Sequence, residues 1–210
     1  MTLFLQSTIE GLSLGAVYSL VAIGLVIIYK ATDVLSFAHP AIAVVGAGLI
    51  SYLAVERGVS FWIAFPVALL LIGFLGLILE RTFLRPMVGK PVFSVAILTI
   101  GIDILLRVPL NNWIGINPKF MGDPFSTYGN FGSFTINEIT IKYLELGALV
   151  TAVISITFLS IFFKRSKYGL AMLATSFDQE ASLAQGINVG RIFGMVWFIG
   201  AILGLSLIHI

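Results

Sequence analysis

The stretch GVSFWIAFPVALLLIGFLGLIL, residues 58–79, contains no charged residue and is followed directly by Glu80 and Arg81. An α-helix rises about 1.5 Å per residue, so roughly 20 apolar residues cross the hydrocarbon core of a bilayer. The stretch is long enough for that crossing, and the two charges after it mark where the helix leaves the lipid. We therefore expect residues 58–79 to form a transmembrane helix.

Comparable apolar runs occur on both sides of this stretch. They cover residues 11–29, 41–55, 92–106 and 146–163, and a last run begins at Ile192. Asp103 is the one charge inside them. The pattern predicts an all-α fold, a polytopic transmembrane helical bundle with five complete spans and a truncated sixth. We expect a single membrane-spanning domain over residues 1–204.

The composition agrees with a membrane protein and excludes several other classes. Charged residues make up 10% of the 210 residues and hydrophobic residues 59%, whereas soluble domains carry about 25% charged residues. A net charge of +2 without a basic run gives no indication of nucleic-acid binding. The lack of cysteine excludes disulfides and thiolate sites. His39 and His209 do not form a metal-ligand pattern, and no phosphate-binding loop occurs. The sequence thus predicts no catalytic residue, metal or cofactor.

The positive charges indicate the orientation of the spans, because cytoplasmic loops carry an excess of Lys and Arg. Placing the connections after the third and fifth spans inside, along with Lys30, puts eight of the 12 Lys and Arg residues inside. The N-terminus is then outside. The connection after the fourth span, residues 108–141, becomes extracytoplasmic, and its Pro and Gly residues favour turns over helix. A short hairpin, a partly buried plug and an ordinary loop all fit it.

The inside connection KRSKYGLAMLATSFDQEASLAQGINVGR, residues 164–191, is polar enough to lie outside the bilayer. We expect a helix over residues 171–185 that stops at Gly186. Its spaced apolar face comprises Leu170, Leu173, Phe177, Ala181 and Ala184. Such an amphipathic helix either rests on lipid or fits a groove on a soluble partner, and few cations flank its middle.

Several short motifs follow one another along nearly the whole chain. They are Gly15–Leu20 with Gly24, Leu35–His39, Glu80–Arg81 through Arg85–Pro86, Thr99–Gly101, and then Gly169, Ala171, Ala174, Asp178, Glu180, Ala181, Gly186, Ile187, Asn188, Val189 and Arg191. In this order they resemble the permease subunits of ABC importers of the branched-chain amino-acid family. The residues from Gly169 onward resemble that family's coupling loop.

The resemblance implies a transport subunit of the bacterial cytoplasmic (inner) membrane, not an enzyme. It implies as partners two ABC ATPase subunits, a second permease subunit and an extracytoplasmic solute-binding protein, besides the lipid bilayer. The coupling loop would convert closure of the ATPases into alternating access for a branched-chain amino acid. Urea or a short amide is an alternative substrate. A secondary transporter or channel would need no ATPase, and a membrane-embedded enzyme would need a catalytic cluster.

The chain departs from the family pattern in three places. Leu170 and Leu173 stand where the family usually carries Arg, which weakens the expected charge pairing with the ATPase. Pro40 replaces the glycine after His39 and stiffens the start of the second span. Residues 205–210, LSLIHI, resemble a translated sequencing adapter, and we expect them to be a non-native tail. Because residues 192–203 alone are too short to span, we expect a C-terminally truncated fragment.

Candidates for the translocation path are Tyr18, Ser36, His39, Thr99 and Asp103. For His39, a titrating gate or substrate contact competes with a hydrogen-bonded residue at a helix start. For Asp103, a contact to a substrate ammonium group competes with an ion pair to Arg107 four residues later. Ordinary interhelical hydrogen bonds explain Tyr18 and Ser36 equally well.

Glycine pairs occur in the first three spans. Gly11 and Gly15 form a GxxxG motif, and Gly46 with Gly48 and Gly73 with Gly76 add small faces. Small residues let membrane helices approach closely, so we expect helix packing at all three pairs. A broken helix that lines the path is the alternative for these glycines.

Overall fold

The computed structural model describes residues 2–33, 35–87, 90–115, 132–136 and 139–205. These residues form helices and one two-stranded hairpin. The α-helices are α1 (Thr2–Thr32), α2 (His39–Ser51), α3 (Phe61–Leu79), α4 (Val92–Ile114), α5 (Tyr143–Arg165), α6 (Lys167–Phe177), α7 (Gln179–Ala184) and α8 (Val189–Leu205). A π-helical turn, Tyr52–Glu56, extends α2, and a second one, Glu80–Leu84, extends α3 into a 3₁₀ turn, Arg85–Met87.

Within the described part of the chain, five helices are long and apolar enough to cross a membrane: α1 to α5, with α2 and α3 counted together with their π-helical turns. α8 is also apolar but shorter, at 17 residues. Large apolar side chains on the spans are exposed, such as Phe74 at 54% and Ile154 at 62%. Lipid covers such a surface in a membrane protein. The all-α, polytopic transmembrane bundle predicted from the sequence is therefore confirmed.

The ends of several helices differ from the predicted runs. The third span was expected from residue 58, but α3 begins at Phe61, and the clearest difference is at the end of α4. Turns were expected from Val108 onward, but α4 continues through Pro109 to Ile114 and ends at Gly115, whose φ is +86°. That expectation was wrong for residues 108–114. Proline removes one backbone hydrogen bond. In a membrane helix the remaining backbone groups still need partners within the helix, so one missing bond does not end it.

α8 occupies the centre of the bundle. Its most extensive contacts are with α3 and α1, and it also packs against α2. The approach to α3 is close, because a Cβ added to Gly76 would lie 2.6 Å from the Trp197 carbonyl oxygen. A Cβ on Gly73 would lie 2.6 Å from the Phe198 ring. Gly46 of α2 also packs closely, against Leu205 and Ile72. By contrast, among the described residues nothing lies within 4 Å of a Cβ on Gly11 or Gly15.

The start of α2 lies inside the bundle. α1 ends at Thr32, and Asp33 follows in the left-handed region with φ +54°. His39, the first residue of α2, packs against Gly24 of α1. Gly24 lies eight residues before Thr32, the end of α1, which is about 12 Å along the helix axis. The chain therefore returns into the bundle before α2 begins.

The hairpin lies between α4 and α5. Its strands are β1 (Ser133–Ile136) and β2 (Ile139–Lys142), which pair antiparallel with Ser133 opposite Lys142. This agrees with the hairpin alternative for the connection after the fourth span. Residues 116–131, which hold most of that connection, lie outside the described residues, as do residues 206–210 of the expected tail. Leu205 is the last residue of α8 and is buried.

Candidate coupling segment and translocation residues

The 164–191 connection, called the coupling segment from here on, folds as two short helices. Between α6 and α7, Asp178 is extended, with φ −157° and ψ 111°. The single helix expected over residues 171–185 was therefore wrong. The physical reason is local: the Asp178 carboxylate accepts a 2.9 Å hydrogen bond from the Ala181 amide and caps α7. Gly186, with φ +79°, terminates α7 as the sequence predicts.

The first turn of α6 is held tightly against the end of α5. The Ser166 hydroxyl accepts a 2.9 Å hydrogen bond from the Gly169 amide and caps α6. Gly169 is buried, and a Cβ there would lie 2.4 Å from the Phe162 carbonyl oxygen and 2.7 Å from Phe163 Cα. Both obstacles are backbone atoms that cannot turn aside. Glycine at 169 is thus what allows α6 to fold back on α5.

α6 has a buried face and an exposed apolar face. Met172 and Thr175 point into the bundle and are 2% and 1% exposed. The opposite face carries large apolar side chains that are 63%, 41% and 83% exposed, namely Leu170, Leu173 and Phe177. These three belong to the apolar face predicted from the sequence. Because the bundle leaves this face open, it is free to contact another molecule.

The remaining predicted coupling residues divide by burial. Half-buried positions are Ala171, Ala174 and Ile187, and exposed positions are Asp178, Glu180, Ala181, Gly186 and Asn188. The Asn188 side-chain oxygen accepts a 3.0 Å hydrogen bond from the Arg191 amide, at the first turn of α8. A very short connection therefore joins α7 to α8, and the coupling segment leads straight into the centre of the bundle.

Three of the five candidate path residues are buried near one another. Ser36, His39 and Thr99 are 2%, 0% and 0% exposed. The Thr99 hydroxyl on α4 accepts a 3.1 Å hydrogen bond from the Phe37 amide, which lies between the other two along the chain. The structure thus brings α4 and the segment before α2 together at Thr99.

His39 occupies a notch between two helices. A Cβ on Gly24 of α1 would lie 3.2 Å from His39 Nε2, and one on Gly204 of α8 would lie 3.0 Å away. Neither ring nitrogen of His39 nor the Ser36 hydroxyl has a hydrogen-bond partner within the described residues. Buried polar groups usually have partners, and leaving one unpaired costs about 1–3 kcal/mol. His39 therefore starts a helix, as one alternative expected, but without the expected hydrogen bond.

Asp103 and Tyr18 are placed differently. The Asp103 carboxylate accepts hydrogen bonds of 2.9 and 2.8 Å from Arg107 Nε, so the i,i+4 ion pair is formed. Tyr18 is 60% exposed on the outside of α1. Neither residue belongs to the buried group around His39.

Sequence reasoning missed the role of Arg85. Its guanidinium group bonds Glu80 five residues earlier and also the Gly190 carbonyl on α8. An i,i+5 pair is not a neighbour on a regular α-helix, but it becomes one on the π-helical turn found here. The contact to Gly190 joins residues 105 positions apart, and no sequence spacing signals it.

The sequence matches one protein family and several of its characterised members. The family model described as branched-chain amino acid transport system / permease component matches residues 7–205. The permease protein BraD of a high-affinity branched-chain amino acid transport system in Pseudomonas aeruginosa is 26% identical over 95% of this chain and 68% of its own length. The corresponding LivH proteins of Salmonella typhimurium and Escherichia coli K12 are each 25% identical over 94% of this chain and 67% of their own length. No solved structure matches the chain significantly.

The match covers the spans, the coupling segment and the buried group around His39. It also agrees with the family that the sequence motifs resemble. The chain therefore belongs to the family of branched-chain amino acid transport system permease components.

Proposed function

We propose that this chain is the membrane-spanning permease subunit of an ATP-binding-cassette importer for branched-chain amino acids, and that its coupling segment receives the motion of the ATPase. Residues 1–204 act as a single permease domain in the bacterial inner membrane, with the N-terminus outside. Its partners are two ATPase subunits, a second permease subunit and an extracytoplasmic solute-binding protein. Urea or a short amide is the alternative substrate.

The observation that supports the coupling role is the exposed apolar face of α6. Leu170, Leu173 and Phe177 lie on a helix that is too short to span the bilayer and that follows the last cations of α5, Lys164 and Arg165. A helix that offers spaced apolar anchors fits a groove on a partner protein. Aromatic residues are typical anchors of such interfaces, and Phe177 is the most exposed of the three.

The same face could also rest on lipid. Interfacial helices are rich in Lys and Arg on their polar face, but α6 carries only Lys167, at its first position. The side of α6 that faces the bundle carries Met172 and Thr175, and the Thr175 hydroxyl donates a 2.8 Å hydrogen bond to the Ala171 carbonyl of the same helix. A protein groove therefore fits this helix better than a lipid surface does.

The path for the substrate runs past the start of α2. A branched-chain amino acid offers an apolar side chain and a carboxylate that accepts hydrogen bonds. Ser36 and His39 are buried polar groups without hydrogen-bond partners among the described residues, so a substrate group that passes them would satisfy them. Thr99 fixes the backbone between them. Tyr18 and Asp103 remain candidates for the wider parts of the path.

The coupling role is tested by Phe177→Glu in the permease co-expressed with its ATPase subunits. Placing a carboxylate in a buried groove should cost about 2 kcal/mol or more, or about 30-fold in affinity. Gln185→Glu, which adds the same charge elsewhere on the exposed side of the segment, is the matched control. We expect Phe177→Glu to abolish co-purification of the ATPase with membrane insertion unchanged, and Gln185→Glu and Phe177→Leu to retain it.

Deleting residues 171–185 should have the same effect as Phe177→Glu. Normal co-purification of the deleted form would show that the segment does not dock the ATPase. Uptake by the permease alone, driven by an ion gradient and without ATPase, would instead favour a secondary transporter.

A further inference from the structure

We propose that Arg85 is a positioning residue that clamps the first turn of α8 to the end of α3, so that motion of the coupling segment reaches both helices together. The clamp consists of Arg85, Glu80 and the carbonyl group of Gly190. This inference rests on the proposed function, since it assigns a residue to the route by which ATPase motion enters the spans.

The clamp has a two-sided geometry. Arg85 Nε donates to Glu80 Oε1 at 3.0 Å, and Nη2 donates to Glu80 Oε2 at 2.8 Å. The same Nη2 donates to the Gly190 carbonyl oxygen at 2.7 Å. A guanidinium group is a planar fork of donors that can hold a carboxylate with two bonds and still reach another acceptor. One side chain therefore ties two helices that are distant in sequence.

Burial makes one half of the clamp rigid. The Glu80 side chain is 1% exposed, whereas Arg85 is 40% exposed. Removing the partner of a buried carboxylate leaves an uncompensated charge, which is strongly unfavourable. Arg85 is thus held in place by Glu80 while its Nη2 also reaches the Gly190 carbonyl oxygen of α8.

α8 approaches this pair through glycines. A Cβ on Gly194 would lie 3.5 Å from Glu80 Oε2 and 3.1 Å from Leu77 Cδ1, and one on Gly190 would lie 3.6 Å from the Arg85 guanidinium carbon. Any side chain longer than a methyl group at these positions would meet the clamp or α3. The close approach of helix and ion pair is therefore a built contact and not a chance surface pairing.

The clamp lies where the coupling segment joins the bundle. Gly190 is in the first turn of α8, directly after the short connection from α7. Glu80 also lines a cavity together with Gln179 of α7 and Trp197 of α8. The cavity leaves space beside α7 into which that helix can move. A displacement of α7 pulls the first turn of α8, and Arg85 carries the displacement to α3.

The first test uses Arg85→Lys in the importer reconstituted with its ATPase and binding protein. Lysine keeps the charge beside Glu80 but is a point donor, so it cannot hold both partners with fork geometry. We expect the number of solute molecules transported per ATP hydrolysed to fall by about tenfold, with ATPase association and basal hydrolysis retained. Arg81→Lys, at an exposed neighbouring arginine, is the matched control and should leave the ratio unchanged.

The double variant Glu80→Arg/Arg85→Glu separates coupling from folding. The reversed pair again joins opposite charges, so thermal stability should recover relative to Arg85→Glu alone. The new Glu side chain accepts hydrogen bonds and cannot donate to the Gly190 carbonyl, so the transport ratio should stay low. If the reversed pair restored the ratio, the bond to Gly190 would have no role in coupling. An unchanged ratio in Arg85→Lys would overturn the clamp altogether.

A distance measurement gives a readout that does not depend on transport. The chain has no cysteine, so spin labels on Arg81→Cys and Arg191→Cys report on the ends of α3 and α8 alone. With the clamp intact, the label distance should stay constant when nucleotide binds, and with Arg85→Lys it should change. The same response of the label distance to nucleotide with Arg85 and with Arg85→Lys would contradict the inference. ATPase co-purification should be retained in Arg85→Lys and lost in Phe177→Glu, so failure of the docking proposal is recognised separately.

Discussion

The substitution Gly76→Ala tests the packing on which the bundle depends. A Cβ at this position would lie 2.6 Å from the Trp197 carbonyl oxygen and 2.8 Å from Ala201 Cβ. Carbon atoms pack best at about 3.5–4.0 Å, so α3 and α8 would have to separate by about 1 Å. Neither obstacle is the end of a flexible side chain. The helices themselves must therefore move.

The expected magnitude follows from two opposing effects. Overpacking a well-packed core costs about 1–3 kcal/mol. Replacing glycine by alanine within a helix stabilises the helix by up to about 1 kcal/mol, because alanine has the higher helix propensity. The free energy of unfolding should therefore fall by about 1–2 kcal/mol, which is a factor of about 5–30 in the folded-to-unfolded ratio.

Gly11→Ala is the matched control, because it is the same chemical change in a membrane helix with nothing within 4 Å of the new Cβ. It should leave the free energy of unfolding unchanged or raise it slightly. Both variants can be measured by denaturant titration in detergent micelles with intrinsic fluorescence as the signal. Equal stability of Gly76→Ala and the parent protein, or an equal loss in both variants, would refute the packing of α3 on α8.

Two further predictions concern the coupling segment. Gly169→Ala places a Cβ against the Phe162 carbonyl oxygen, so α6 should be displaced from α5. ATPase co-purification should then be lost while membrane insertion is retained, and normal co-purification would contradict this prediction. Asp178→Ala removes the cap on the Ala181 amide, worth about 1 kcal/mol, and should speed hydrogen exchange of the α7 amides, whereas Asp178→Asn should keep them protected. Unchanged exchange in Asp178→Ala would show that the cap is unimportant.

The spans were predictable because charge is expensive inside a bilayer. Glu80 and Arg81 follow the third run, and Lys164 and Arg165 follow the fifth. In both cases the first charged residues mark where the span ends. The end of α4 was not predictable in this way. Pro109 is a turn signal in water, but lipid offers no alternative partner for the backbone, and the helix continues past it.

The coupling segment shows how a local interaction overrides periodicity. The apolar spacing of Leu170, Leu173 and Phe177 correctly predicted one exposed face, because spacing depends only on helix geometry. The same spacing continues to Ala181 and suggested one helix. Asp178 instead divides the segment into two helices. Its carboxylate accepts a hydrogen bond from the Ala181 amide, which in a continuous helix would donate to a backbone carbonyl. Gly186 was predictable because its left-handed conformation suits glycine.

The candidate site was only partly predictable. Single residues such as Ser36 and His39 stood out by their polarity within apolar surroundings, but nothing in the sequence indicates that α2 starts inside the bundle. The chain between α1 and α2 returns into the bundle because His39 packs against Gly24 and Gly204, which are distant from it in sequence. The Arg85 clamp depends likewise on a π-helical turn and a contact to α8.

The proposed coupling role requires a short segment outside the lipid to act on a path within it, and the placement of α8 fits that requirement. α8 follows the coupling segment directly and is buried along its length, with Ile192 and Trp197 at 4% and 1% exposure. A helix at the edge of the bundle could shift by sliding along lipid and leave the other spans in place. A helix at the centre moves α1, α2 and α3 with it, because its side chains and glycines are packed closely against theirs. The notch that holds His39 is formed partly by Gly204 of this helix. Under the proposed coupling role, motion of α7 acts on the start of α2 through α8.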